Sequence, residues 1–77
     1  MEPFGSISTM DDVFAALAHP VRRALADELR DGPRPAGSLG QDLGVSREAI
    51  SKHLRRMAQA ELLTVEAKAR ERWYALS

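Results

Sequence analysis

Apolar residues follow two rhythms along this chain. As far as about residue 60 they recur every three to four positions, the period of a helix, and beyond it they alternate, the period of a strand. Val13, Phe14 and Leu17, with Met10 one turn earlier, form a narrow stripe that predicts a first helix from about Met10 to Ala18. Thr9 is its N-cap and Asp12 sits near its positive end. His19-Pro20 breaks the run, because a residue before proline avoids helical backbone whereas proline suits a first helical turn. A second helix, about Pro20 to Arg30, lines up Val21, Ala24, Leu25 and Leu29 with one polar intrusion, Glu28, and Asp31-Gly32-Pro33 stops it. Arg34-Pro35-Ala36-Gly37 reads as a linker into a third, short helix ending at Leu43. Leu39 and Leu43 face inward, and Gly44 is the left-handed terminator.

Ser46 is the next N-cap. The helix it opens, about four turns long, carries Ile50, Leu54, Met57 and Glu61 on one line, with Ala58 beside them. Across the wheel stand Glu48, Lys52, Arg55, Arg56 and Gln59. Leu63, Val65 and Ala67 then alternate with Thr64 and Glu66, and Tyr74 and Leu76 with Trp73 and Ala75, so that two strands joined across Lys68-Ala69-Arg70-Glu71 make a hairpin. Residues 1–9, with Pro3 and Gly5, read as a flexible arm, and residues 10–77 as one domain. A short helix, a tight turn, a longer helix with a polar face and a hairpin with a basic tip make a winged helix-turn-helix. The predicted fold is mainly α, about four helices plus a two-stranded wing.

Composition narrows the function. Seventy-seven residues allow a single small core, and no run is apolar enough for a membrane span or a signal peptide, so a cytoplasmic protein is expected. With no cysteine and with His19 and His53 as the only imidazoles, neither a metal site, a cofactor nor an enzyme active site is expected. The chain is neutral overall, but unevenly so. Residues 1–45 hold four basic and seven acidic side chains, whereas residues 46–77 hold seven basic and four acidic. The C-terminal half is therefore the half that turns toward a polyanion.

The segments "ALAHPVRRALADELRDG", "LGQDLGVSREAISKHLRRMAQAELLTVE" and "ARERWYAL" together resemble the ArsR family of bacterial winged-helix repressors, over about Met10 to Leu76. The most specific pieces are Ala18 to Arg23, the Leu43-Gly44-Val45-Ser46 turn, Ile50 to Leu54, and Arg72 to Leu76. The resemblance implies a sequence-specific regulator of transcription, a repressor, bound as a homodimer to a double-stranded DNA operator. It puts the base-reading positions on Arg47, Glu48, Ser51 and Lys52. Their chemistry agrees, since Arg can fork onto guanine O6 and N7 and Glu can accept from a cytosine amino group. Ser46, Arg55, Arg56, Lys68, Arg70 and Arg72 are expected on phosphates, which fix position but read no sequence.

The chain departs from the family in several respects. Pro35 and Gly37 stand where many members carry metal-binding cysteines, and Ala69 replaces the usual wing-turn glycine. The C-terminal dimer helix of most members is not part of this sequence, so a weak dimer resting on Val13, Phe14 and Leu17, with the arm around Phe4 and Ile7, is expected. Plainer readings run beside these. A basic helix face is often a solvated surface, and Glu48 with Lys52 is a stabilising i, i+4 pair. His53 is expected as a partly buried packing residue and His19 as a helix-boundary residue. Tyr74 should pack on the recognition helix, Trp73 faces the opposite side of its strand, and Arg22 and Arg23 lie either on phosphate or in water. The rival reading from another class is a winged module that binds a protein partner without specific DNA recognition.

Overall fold

The computed structural model describes residues 18–77. Its order is helix α1 (Pro20–Glu28), the short strand β1 (Arg34–Pro35), a 3₁₀ turn (Ala36–Ser38), helix α2 (Arg47–Gln59), and strands β2 (Leu63–Lys68) and β3 (Glu71–Leu76). The helix expected from about Met10 to Ala18 falls, but for Ala18, outside the described residues. Val13, Phe14, Leu17 and the arm fall outside them too.

Each helix end has a local cause. His19 takes an extended backbone ahead of Pro20, and its Nδ1 accepts from the Val21 amide at 3.3 Å, so the boundary residue is itself the cap of α1. The apolar line runs as predicted through Leu25 and Leu29. The α-helix stops at Glu28, short of Arg30, because Leu29, Arg30 and Gly32 bond back three residues instead of four. In α2 the Ser46 hydroxyl accepts from the Ala49 amide at 3.1 Å, the predicted N-cap.

The far end of α2 corrects one expectation. Glu61 does not continue the inner line. It takes a left-handed backbone (φ 64°) and stays exposed, while the Glu61 amide donates to the Ala58 carbonyl (3.0 Å) and the Leu62 amide to that of Met57 (2.9 Å). This is a Schellman ending with glutamate where glycine is usual.

Two further corrections concern the middle of the chain. Only the 3₁₀ turn and a series of turns stand where a third α-helix was expected to end at Leu43. Leu39 is extended (φ −94°, ψ 142°) and Gly40 is left-handed (φ 72°), and neither conformation propagates a helix. The described residues therefore hold two α-helices, and the expected total of about four is not met among them. The sheet also has three strands, in the order β1-β3-β2, where a two-stranded wing was expected. Arg34 pairs with Tyr74 and Pro35 with Trp73. A two-residue strand containing proline has no alternation to read, and proline belongs on an edge strand, as here.

Leu25, Leu29, Leu39, Ile50, Leu54, Met57, Leu63 and Tyr74 form one buried core, with Leu43 packed at its margin. Gly40 is buried against it, and a Cβ there would lie 2.5 Å from Ile50 Cδ1. Glu28, the polar intrusion of the second helix, is half-buried and explained. Its Oε1 accepts from the Gly40 amide at 3.0 Å and faces Arg34 Nη1 at 3.5 Å. Arg34 continues the network to the Ser38 hydroxyl (3.2 Å) and carbonyl (2.7 Å). This pins the turn region to α1 and, through Gly40, to the underside of α2.

Candidate nucleic-acid interface

With Ile50, Leu54 and Met57 buried, α2 turns its opposite face outward. Arg47, Glu48, Ser51 and Arg55 line one open depression of about 380 Å³ on that face. The structure thus brings together three of the four expected base-reading residues and one expected phosphate ligand. Lys52, the fourth, is exposed and does not line that depression. Arg56 is exposed too, and the charges of both reach His53.

The wing splits its cations between two faces. In the β2–β3 register Ala67 pairs with Arg72 and Val65 with Tyr74, and these four look toward α2. Arg55 and Arg72 flank a groove of about 400 Å³ between helix and wing, floored by Ala58, Val65, Ala67 and Tyr74. Arg55 lines both hollows, so the outer face of α2 continues onto β3. Tyr74 is buried, as expected of the strand residue that packs on the recognition helix.

Lys68 belongs to the other face, with Glu66, Glu71 and Trp73. Its Nζ sits 4.5 Å from the centre of the Trp73 ring, a cation–π contact that gives Trp73 a partner. Arg70 occupies the tip. It and Ala69 both have positive φ (68° and 53°), the signature of a two-residue type I′ turn built without glycine.

Arg22 and Arg47, like Arg34, are engaged by the protein itself. Arg22 Nε donates to His53 Nδ1 at 3.0 Å, and the His19 and His53 ring centres lie 4.6 Å apart. Burial is the main cause that holds the His53 imidazole below its ordinary value, followed by the charges of His19, Arg22, Arg56 and Lys52. Arg47 donates from Nη1 to the Gly37 carbonyl (3.4 Å) and from Nη2 to the carbonyls of Ala36 (3.3 Å) and Leu39. Sequence reasoning found neither tie, because each joins residues whose spacing carries no periodic signal. Arg23 donates to the Ala18 carbonyl at 3.1 Å.

A helix held by a capped turn, presenting a polar face continuous with a three-stranded wing, defines a winged helix-turn-helix domain of the kind that docks on DNA. Residues 17–66 match the family model of a helix-turn-helix domain. The transcriptional repressor SdpR of Bacillus subtilis (strain 168) is 34% identical over 68 residues, covering 88% of this chain and 76% of that protein. Among solved structures, an ArsR-like transcriptional regulator from Rhodococcus sp. RHA1 superposes with a TM-score of 0.82 at 34% identity, over 95% of this chain and 69% of that one. The homodimeric winged helix-turn-helix DNA-binding domain Mb0332 from Mycobacterium bovis shares the fold, with a TM-score of 0.85 at 19% identity over 94% and 67% of the two chains. The chain belongs to this helix-turn-helix family and is a transcriptional regulator of the ArsR type.

Proposed function

We propose that the protein is a repressor that binds a two-fold DNA operator as a homodimer, with α2 in the major groove and the wing along the flanking backbone. The observation that carries this reading is the continuous face formed by Arg47, Glu48, Ser51 and Arg55 on α2 and by Arg72 on β3. Glu48, Ser51 and Lys52 supply base-edge contacts, and Arg47 stands at the entrance of the same helix. Ser46, Arg55, Arg56, Arg70 and Arg72 take phosphates, and Lys68 joins them from the outer side of the wing. The repressor part draws support from SdpR, a transcriptional repressor, and the homodimer part from Mb0332, a homodimeric domain of the same fold. The dimer contact proposed for this chain is the Val13, Phe14 and Leu17 stripe. Pro35 and Gly37 carry no ligating side chain, so regulation does not run through a metal at those positions. The site of action is the cytoplasm.

Binding of a duplex taken from the upstream region of the protein's own gene tests the reading. Affinity should exceed that for random duplex and should fall about a thousandfold or more between about 50 and about 200 mM salt, as counterions released from several phosphates require. Equal affinity for any duplex would leave only sequence-independent binding to phosphate, and a flat salt response would return the basic face to solvent and favour an apolar protein partner.

A further inference from the structure

We infer that Arg47 is a positioning residue, a clamp that sets the recognition helix on its turn, and that it does not read a base. The inference rests on the DNA-binding reading above and departs from the role that family resemblance gives this position.

Donor geometry separates the two roles. A guanidinium carries five N–H donors in a fixed plane and can fork onto guanine O6 and N7 by either of two edges, Nε with Nη2 or Nη1 with Nη2. Both edges need Nη2. In this structure Nη2 donates to the Ala36 and Leu39 carbonyls, so the nitrogen that both edges share is engaged by the protein. Nη1 donates to the Gly37 carbonyl, which also accepts from Gln41 Nε2 at 3.2 Å. The remaining donors, Nε–H and one Nη1 hydrogen, do not form an edge. A charged donor on these carbonyls is also well matched, because such bonds are stronger than neutral ones, and the Ala36 carbonyl takes it in addition to the Leu39 amide at 3.1 Å.

The clamp has a mechanical sense. The Ala36–Ser38 turn is too short to hold a direction by its own hydrogen bonds, and Leu39 and Gly40 leave it in extended and left-handed backbone. Arg47 is the first residue of α2, so its three bonds join the start of that helix to the carbonyls of residues 36–39. Glu28 and Arg34 hold the same segment from the α1 side. Releasing Arg47 would let the N-terminal turn of α2 shift, moving Glu48 and Ser51 together relative to the groove.

The two roles give different signatures in a selection of bound sequences from a pool of randomised duplexes. A base reader changed to alanine should lose preference at one base pair, by about tenfold or more, and leave the others intact. A clamp changed to alanine should flatten preference at every position read by α2 by a similar factor, with the salt slope unchanged because no phosphate contact is lost. Arg47→Lys sharpens the comparison. Lysine can itself address guanine O6 and N7 but cannot span three carbonyls. The expected result is general flattening in Arg47→Ala that Arg47→Lys does not repair. Loss confined to one G·C pair, or a retained guanine preference in Arg47→Lys, would overturn the inference.

Should either variant unfold, nitrogen-15 NMR of the wild type decides. The Arg47 Nη2 hydrogens should show slowed rotation both free and with a selected duplex, and fast averaging in either state would overturn the clamp. A wild-type protein that selects no sequence from the pool overturns the DNA-binding reading itself, a result distinct from all of these.

Discussion

Arg22 on α1 and His53 on α2 are joined by a hydrogen bond of 3.0 Å from Nε to Nδ1. The bond requires a neutral imidazole, since a protonated Nδ1 is a donor and would face a guanidinium. Lys52 and Arg56 on α2 and His19 ahead of α1 add to the same positive surroundings. The contact that couples the first described helix to the recognition helix is thus made on the condition that His53 carries no charge.

Acid should therefore loosen the domain before its carboxylates titrate. An unfolded chain binds a proton at His53 near pH 6.5, whereas the folded chain, with its imidazole held lower, refuses it until the pH is lower still. The unfolded state then binds more protons across this window. Stability is full above about pH 6.5 and is lost as pH falls from there through the folded value. Thermal melts at about pH 7.5 and about pH 5.5 should show a drop in wild type that is smaller in His53→Gln, whose amide oxygen can still accept from Arg22. Equal drops in both proteins would rule out His53 as the source.

Gly40→Ala should destabilise the domain by about 2–4 kcal/mol, from a left-handed backbone and an overpacked core acting together. Its φ is 72°, and the added Cβ would stand 2.5 Å from Ile50 Cδ1 and 3.3 Å from Leu25 Cδ2. Gly37→Ala is the control, because a Cβ at Gly37 meets nothing within 4 Å. That change should be neutral or stabilising by up to about 1 kcal/mol. Urea melts of the two variants measure the contrast.

The wing tip holds strain in exchange for a cation. Ala69 and Arg70 both occupy left-handed backbone, at φ 53° and 68°. Ala69→Asn with Arg70→Gly, the pair that a type I′ turn favours, should stabilise the fold by about 1–2 kcal/mol. It should also weaken DNA binding and lower the salt slope by about one, through the loss of Arg70. A variant that is more stable and binds equally well would remove Arg70 from the interface.

Phosphate and base contacts should separate by mutation. Arg55→Ala and Arg72→Ala, on the two sides of the helix–wing groove, should weaken binding to all duplexes alike and each lower the salt slope by about one. Glu48→Ala should instead relax preference at one position by about 1–3 kcal/mol and leave the slope unchanged. Titrations against a selected and a random duplex at two salt concentrations distinguish these outcomes.

Much of the architecture was legible in the amino-acid order because its causes are local. Pro20 after His19, Ser46 ahead of Arg47 and the change of period near residue 60 mark element ends through caps and backbone preferences that act within a few residues. The polar face of α2 was legible for the same reason, since burying Ile50, Leu54 and Met57 leaves Glu48, Arg55 and their neighbours outside. Local pattern could not reach contacts made between segments. The Arg34–Pro35 strand exists only because β3 lies beside it, and the expected third helix gave way because Gly40 fits under Ile50 in a backbone that no helix contains.

The same division runs through the candidate site. Family resemblance placed Arg47 among the base-reading residues, and nothing in its neighbours reveals that carbonyls of residues 36, 37 and 39 take up its donors. Lys68 and Arg72 look alike as wing cations, yet strand register sends one to Trp73 and the other toward Arg55. A side chain's type and its face follow from short-range order along the chain. Its hydrogen-bond partners depend on which distant segment the packed core brings within about 3 Å, and only the folded chain contains that distance.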